Sequence, residues 1–190
     1  GYGGYNDRYR DVRVDDHATP IAELKRVYGL HKRVFRTRGG GRRSRRLSAL
    51  RKAVLEGIAN DEGDLVALSD AIWRHAETSL EETQSSGSLA EYLEKNGFSV
   101  ERGVAGMPTA FVASWGKGAP VIGILGEFDA LPGISNQAKP ERVPLTEGAP
   151  GHGCGHNLFG VAAAGAAVAA KRALQAEGIS GTIKYFGCPA

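Results

Sequence analysis

The chain is poor in sulfur. Among 190 residues it has two cysteines, Cys154 and Cys188, and one methionine, Met107. Two cysteines are too few for a disulfide scaffold and suit a reducing, cytoplasmic setting, which also disfavours a Cys154–Cys188 bridge. No run approaches the roughly 18 apolar residues of a membrane-spanning helix. The N-terminus has no apolar core of a secretory signal. Residue 1 is glycine, so the sequence reads as a fragment or as one without its natural start. Neither a GxxxxGK[ST] phosphate loop nor a GxSxG nucleophile elbow occurs. Membrane proteins, disulfide-stapled domains, P-loop enzymes and elbow-type serine hydrolases are thereby set aside.

What is present fits one globular domain with a local basic insert. Hydrophobic residues make up 42% and charged residues 24%, both near the globular average. The net charge of +3 is unevenly spread. His31 to Lys52 holds ten Lys/Arg and no acid, leaving 14 bases against 21 acids elsewhere, a net of −7. The stretch Arg36 to Arg46, RTRGGGRRSRR, reads as a Gly/Arg-rich linker, since three glycines and like-charge repulsion oppose compact structure. It has no interleaved aromatics, so a solvated linker is preferred to a nucleic-acid contact.

Before the linker, residues 1–35 are polar with one helical stretch, Pro20 to Phe35, whose stripe is Ile21, Leu24, Val27, Tyr28 and Leu30. After it, the pattern over 47–190 predicts helices at Leu47–Ile58, Asp64–Ala76 and Ser85–Lys95, the last stopped by Asn96-Gly97. Strands are expected at Phe98–Glu101 and Ala110–Trp115, which alternate, and at Val121–Leu125, whose continuous apolar run reads as buried. A proline-containing loop, Gly126–Gly155, separates them from an alanine-rich helix, Asn157–Ala176, and a last strand, Thr182–Phe186. Strands alternating with helices indicate an α/β fold.

Two motifs carry chemistry. GHGCGHN, Gly151 to Asn157, sets His152, Cys154 and His156 on alternate positions just before a helix. Thiolate and imidazole are good ligands for borderline divalent metals, and the glycines allow a tight turn. Chance clustering of His and Cys in a flexible loop is the competing reading. GEFDALPG, Gly126 to Gly133, puts Glu127 and Asp129 at the C-terminal end of a buried-type strand, where α/β folds bind ligands. One of these carboxylates suits the outer partner of a metal-ligating histidine; a solvated loop start is the alternative. His75, on a helix, reads as a surface or boundary residue.

Taken with DAIWRHAETSLEETQSSGSLAEYLEKNGFSVERGVAGMPTAFVASW and the terminal IKYFGCPA, these motifs resemble the N-terminal half of the zinc aminoacylase and carboxypeptidase-G-like metallohydrolases. The branch most similar is that of aminobenzoyl-glutamate hydrolase B subunits, partly because Asn157 stands where other branches have aspartate. The resemblance covers 47–190. It implies a partial catalytic α/β domain with a mixed sheet flanked by helices, a divalent metal (zinc or manganese), and cleavage of N-acyl or N-aroyl amino acids by metal-activated water. Cys154 and His156 match metal ligands, and Asp129 matches the catalytic-site carboxylate that steadies a ligand. Glu127 falls where carboxypeptidase relatives have a ligating histidine, and it is given no ligand role. In the family a Glu-Glu pair follows the segment matching GCPA, supplying the general base and a ligand. The chain ends at Ala190, so the resemblance implies that residues 1–190 alone have little or no activity. The full-length parent is expected to be a homo-oligomer. Residues 1–35 instead resemble the C-terminal tail of an Ntn-hydrolase-like family with a segment assigned to peptidoglycan binding. The rival reading is therefore a non-catalytic cell-wall binder, and the junction is read as a fused or frameshifted frame.

Overall fold

The computed structural model describes residues 41–189, so the helix expected at Pro20–Phe35 and the whole segment 1–35 lie outside the described residues. Residues 46–190 form one compact unit. Its elements run α1 (Gly41–Asn60), α2 (Glu62–His75), α3 (Thr83–Lys95), β1 (Ser99–Arg102), β2 (Phe111–Lys117), β3 (Val121–Glu127), α4 (His156–Ala176) and β4 (Gly181–Cys188). Every helix and strand expected within 47–190 is present, with ends displaced by a few residues. One boundary differs more. Helix α1 begins at Gly41, inside the run read as a linker, because the arginines that follow the glycines are good helix formers once the chain is committed to a helix.

The sheet order is β1-β2-β4-β3. β1 and β2 pair antiparallel, as do β2 and β4, while β3 and β4 run parallel with Val121 opposite Thr182 and Glu127 opposite Cys188. The α/β class holds, and the sheet is mixed. Helix α4 is the crossover between the parallel strands, the connection that parallel neighbours require.

One face of the sheet builds the core. Phe111, Ala113, Ile183 and Tyr185 are buried there, on matching positions of β2 and β4, against Leu89 and Leu93 of α3, Ile72 of α2, and Ala164 and Val168 of α4. The aromatic rings of Phe111 and Tyr185 stack with centroids 5.6 Å apart, and Phe128 lies 6.2 Å from Phe111. The small residues of α4 let the helix lie close to the sheet. A Cβ on Gly160 would stand 2.6 Å from the Glu127 carbonyl oxygen, so only glycine permits this approach. The buried Tyr185 hydroxyl donates to the Gly160 carbonyl at 3.1 Å, tying β4 to the first turns of α4.

Strand β3 departs from the sequence reading. Its apolar run was expected to be buried, yet Val121 is 63% and Leu125 60% exposed. The reason is position: β3 pairs only with β4, and it is the edge of the sheet among the described residues.

Helix α3 starts on a cap from outside the helix. The Glu77 carboxylate accepts from the Gln84 and Ser85 amides at 2.9 and 2.8 Å and from the Ser85 hydroxyl at 2.8 Å. Burial pushes the Glu77 carboxyl up, but the hydrogen bonds from Gln84 and Ser85 outweigh it and hold its pKa below the ordinary 4.5. Glu77→Ala is expected to destabilise the fold by about 1–3 kcal/mol at neutral pH, measured by urea unfolding. Because the folded-state pKa is the lower one, this contribution is complete above pH 4.5 and is lost as pH falls through the folded value. Glu77→Gln should lack that part of the acid-side loss; parallel acid profiles for the wild type and the Glu77→Gln variant would overturn the assignment.

Candidate metal centre

The site forms where three chain segments are pinned together. The backbone of Ala130 donates to the Glu77 carbonyl at 2.7 Å, forming a bridge between 78 and 130. One residue on, Leu131 and Gly151 exchange both backbone hydrogen bonds, at 3.0 and 2.9 Å. The end of β3 and the turn before α4 are thus fixed against each other despite the long loop between them. Gly155 precedes α4 with φ of 81°, in the left-handed region that glycine enters without strain. That reversal places His156 in the first turn of α4. Asn157 follows, buried, donating to the Ser69 hydroxyl at 3.1 Å; the residue noted from sequence as a departure from aspartate anchors α4 to α2.

These constraints bring Glu127, Asp129 and His156 together. One ligand atom from each lies within 4.8 Å of the other two. His156 Nδ1 is hydrogen-bonded to Asp129 Oδ1, and His156 Nε2 lies 3.0 Å from Glu127 Oε2. Asp129 is almost fully buried, while the Glu127 side chain is 39% exposed. The electrostatics follow from the tautomer. A carboxylate only accepts, so Asp129 draws the imidazole proton to Nδ1, leaving the Nε2 lone pair facing a second carboxylate oxygen. Two acceptors at that distance repel unless a cation, a proton or a metal ion, lies between or beside them. An imidazole whose other nitrogen is held by a carboxylate is the usual arrangement of a metal-ligating histidine. The nitrogen and oxygen donors therefore fit a divalent ion.

Of the residues singled out from sequence, Asp129 and His156 meet. The Cys154 thiol does not belong to that converged group; it is exposed, in the same turn. His152 turns the other way, its Nε2 3.0 Å from the Ile72 carbonyl. Burial is the main cause that lowers its pKa, against the opposing effects of that bond and of Asp129. Glu127 was the residue to which sequence reasoning gave no ligand role. Its signal was present, two positions before Asp129 at a strand end, but only the fold of the 151–156 turn brings an imidazole to it. Cys188, opposite Glu127 in the β-ladder, has its thiol pKa pushed up by burial and by the Glu127 charge.

Residues of this chain are 47% identical over 135 positions to the B-subunit of p-aminobenzoyl-glutamate hydrolase from Escherichia coli, covering 70% of this chain and 28% of that one. Over that stretch the chain is similar in sequence to this hydrolase subunit. It is also 33% identical over 148 residues to human Xaa-Arg dipeptidase, covering 71% of this chain and 30% of the relative. The fold is shared with a methicillin-resistant Staphylococcus aureus protein described as an aminohydrolase, at a TM-score of 0.58 and 21% identity, over 73% of this chain and 35% of that one. A dinuclear metal-binding M20 peptidase of Bacillus subtilis matches at a TM-score of 0.51 and 22% identity, over 67% and 35%. No protein-family model matches the chain. This chain spans less than a third of the length of the curated relatives it matches. Among the described residues no helix is long and apolar enough to cross a membrane.

Proposed function

We propose that Glu127, Asp129, His156 and Cys154 form part of the metal centre of an amidohydrolase that cleaves N-acyl or N-aroyl amino acids. The observation that carries this reading is the His156 imidazole held between two carboxylates, Asp129 on Nδ1 and Glu127 3.0 Å from Nε2. Support for the reaction class comes from the relatives, whose names both describe an amide bond to an amino acid, glutamate in one and arginine in the other. That one of them is by name a subunit supports oligomeric assembly of the protein that carries this domain.

The roles divide as follows. His156 offers Nε2 to the ion, and Asp129 fixes the ring and its tautomer from the buried side. The exposed position of Glu127 leaves its carboxylate open toward an incoming ligand. Cys154 stands two residues before His156 with glycine on either side, so its side chain has to turn toward His156 to ligate. A divalent ion held here supplies Lewis acidity toward a carbonyl and a water; zinc and manganese both suit this donor set, with the thiolate favouring zinc.

Cobalt(II) titration of the chain tests the reading. Uptake of one equivalent or more is expected, with a thiolate-to-cobalt charge-transfer band that disappears in Cys154→Ser while weaker binding through His156 persists. Uptake with no such band, unchanged by Cys154→Ser, would remove Cys154 from the centre. No uptake at all would sink the metal reading. The cell-wall alternative rests on residues outside the described part of the chain, and no structural feature favours it.

A further inference from the structure

Strand β3 is a sheet edge without the usual protection. Among the described residues it pairs only with β4, so its other side presents unpaired backbone amides and carbonyls. Natural edges are normally guarded by lysines, prolines, inward-pointing charges or bulges. Between Val121 and Leu125 there is none of these. The run is Val-Ile-Gly-Ile-Leu, and its register with β4 is unbroken from Val121 to Glu127. Val121, Ile122 and Leu125 are all exposed. Val121, Gly123 and Leu125 stand beside Thr182, Lys184 and Phe186, on the sheet face opposite to the buried Ile183 and Tyr185. The Phe186 ring leans over Gly123, where a Cβ would meet it at 3.0 Å. Val121, Phe186 and Leu125 thus form an apolar strip along the open edge.

The strand itself specifies what covers that edge. Read outward from Gly123 in either direction, the run gives isoleucine and then valine or leucine. Opposing residues of an antiparallel pair point to the same face, so a two-fold axis perpendicular to the sheet has to pass at a residue position. With the axis at Gly123, Val121 falls opposite Leu125 of the second copy and Ile122 opposite Ile124, while the two glycines meet at the axis. One residue forward, the Glu127 carboxylate would stand opposite Val121. One residue back, Pro120, which has no N–H, would stand opposite Ile124. Gly123 is therefore the centre at which the five residues pair only with one another. The two Glu127 residues then lie about 27 Å apart along the strands, from a rise of about 3.4 Å per residue, so the pairing joins strands without merging the two candidate metal centres.

We propose that β3 is a self-association surface: a second copy of this chain adds its own β3 antiparallel about Gly123, joining two four-stranded sheets into one. The contact uses the same patch on both copies, so association closes at a dimer. It rests on the edge alone and is independent of the amidohydrolase reading and of metal.

Sedimentation equilibrium of the full chain is the test. The wild type is expected to reach twice the 20.1 kDa of one chain within the micromolar range. Val121→Lys and Leu125→Glu should each weaken association roughly 10-fold or more, since the two-fold axis makes one substitution break two cross-strand pairs. Mixing the two variants should restore the dimer. The introduced ammonium of one then lies opposite the introduced carboxylate of the other, with a native valine–leucine pair at the far end. Both positions are exposed, so both variants should fold, as judged by circular dichroism. If either does not, the wild-type mass and Ile122→Lys, which should also weaken association, still decide. A monomeric wild type, open-ended oligomers, a dimer that survives in the folded variants, or folded variants that fail to recover on mixing would each overturn the proposal. A monomer whose edge instead binds an apolar strand peptide would assign β3 to a different polypeptide and overturn the second-copy reading.

Discussion

His156→Ala is expected to abolish stoichiometric binding of zinc or cobalt by this chain, weakening affinity by at least about 100-fold in calorimetric titration. The expectation follows from geometry more than from residue type. Among the described residues His156 is the one side chain in contact with both carboxylates of the converged group, so its loss would remove the proposed ligand and also the link that holds Glu127 near Asp129. Asp129→Asn is the informative companion. An amide in place of the buried carboxylate no longer dictates the Nδ1 proton, and outer-partner changes of this kind usually cost roughly 10- to 100-fold in metal affinity. The order expected is therefore wild type, then Asp129→Asn, then His156→Ala. Unchanged affinity in His156→Ala would show that the ion, if bound, sits elsewhere.

The largest stability effect should come from Tyr185→Ala. The side chain is fully buried, stacks on Phe111 at 5.6 Å, and satisfies the Gly160 carbonyl. Deleting a large aromatic side chain from a core costs about 3–5 kcal/mol, a large share of the roughly 5–15 kcal/mol that holds a typical domain together. Tyr185→Phe keeps the ring and removes only the hydroxyl, so it should lose about 1 kcal/mol. Urea unfolding of the two variants separates packing from hydrogen bonding. If both substitutions cost the same, the ring is not the dominant contribution, and the core is centred elsewhere.

The same two regions show what was legible. The elements were readable because their signals are local: apolar stripes for α2 and α3, Asn96-Gly97 at the end of α3, alternation in β2, and small residues through α4. The motif GHGCGHN was readable because three metal-type side chains within five residues are rare enough to attract attention. Glu77 was not readable as a cap, since it acts on amides seven and eight residues further along. Neither was the tie from Asn157 to Ser69, which spans 88 residues. The Gly/Arg run was read from its glycines and charge, whereas its last residues belong to a helix whose continuation lies in the apolar sequence that follows.

By itself, then, the sequence determined the α/β class, the order of helices and strands over 47–189, and the two short segments that carry carboxylate, imidazole and thiol groups. Period, composition and short motifs suffice for these, because each depends on residues close together in the chain. Only the tertiary structure decided which of those groups meet. Backbone pairing of Ala130 with Glu77 and of Leu131 with Gly151 sets the turn against the strand end, so that His156 contacts Asp129 and Glu127 while Cys154 faces solvent. It likewise placed β3 at an edge of the sheet. An apolar run records that a strand is able to be buried; whether neighbours cover it depends on pairings between distant segments.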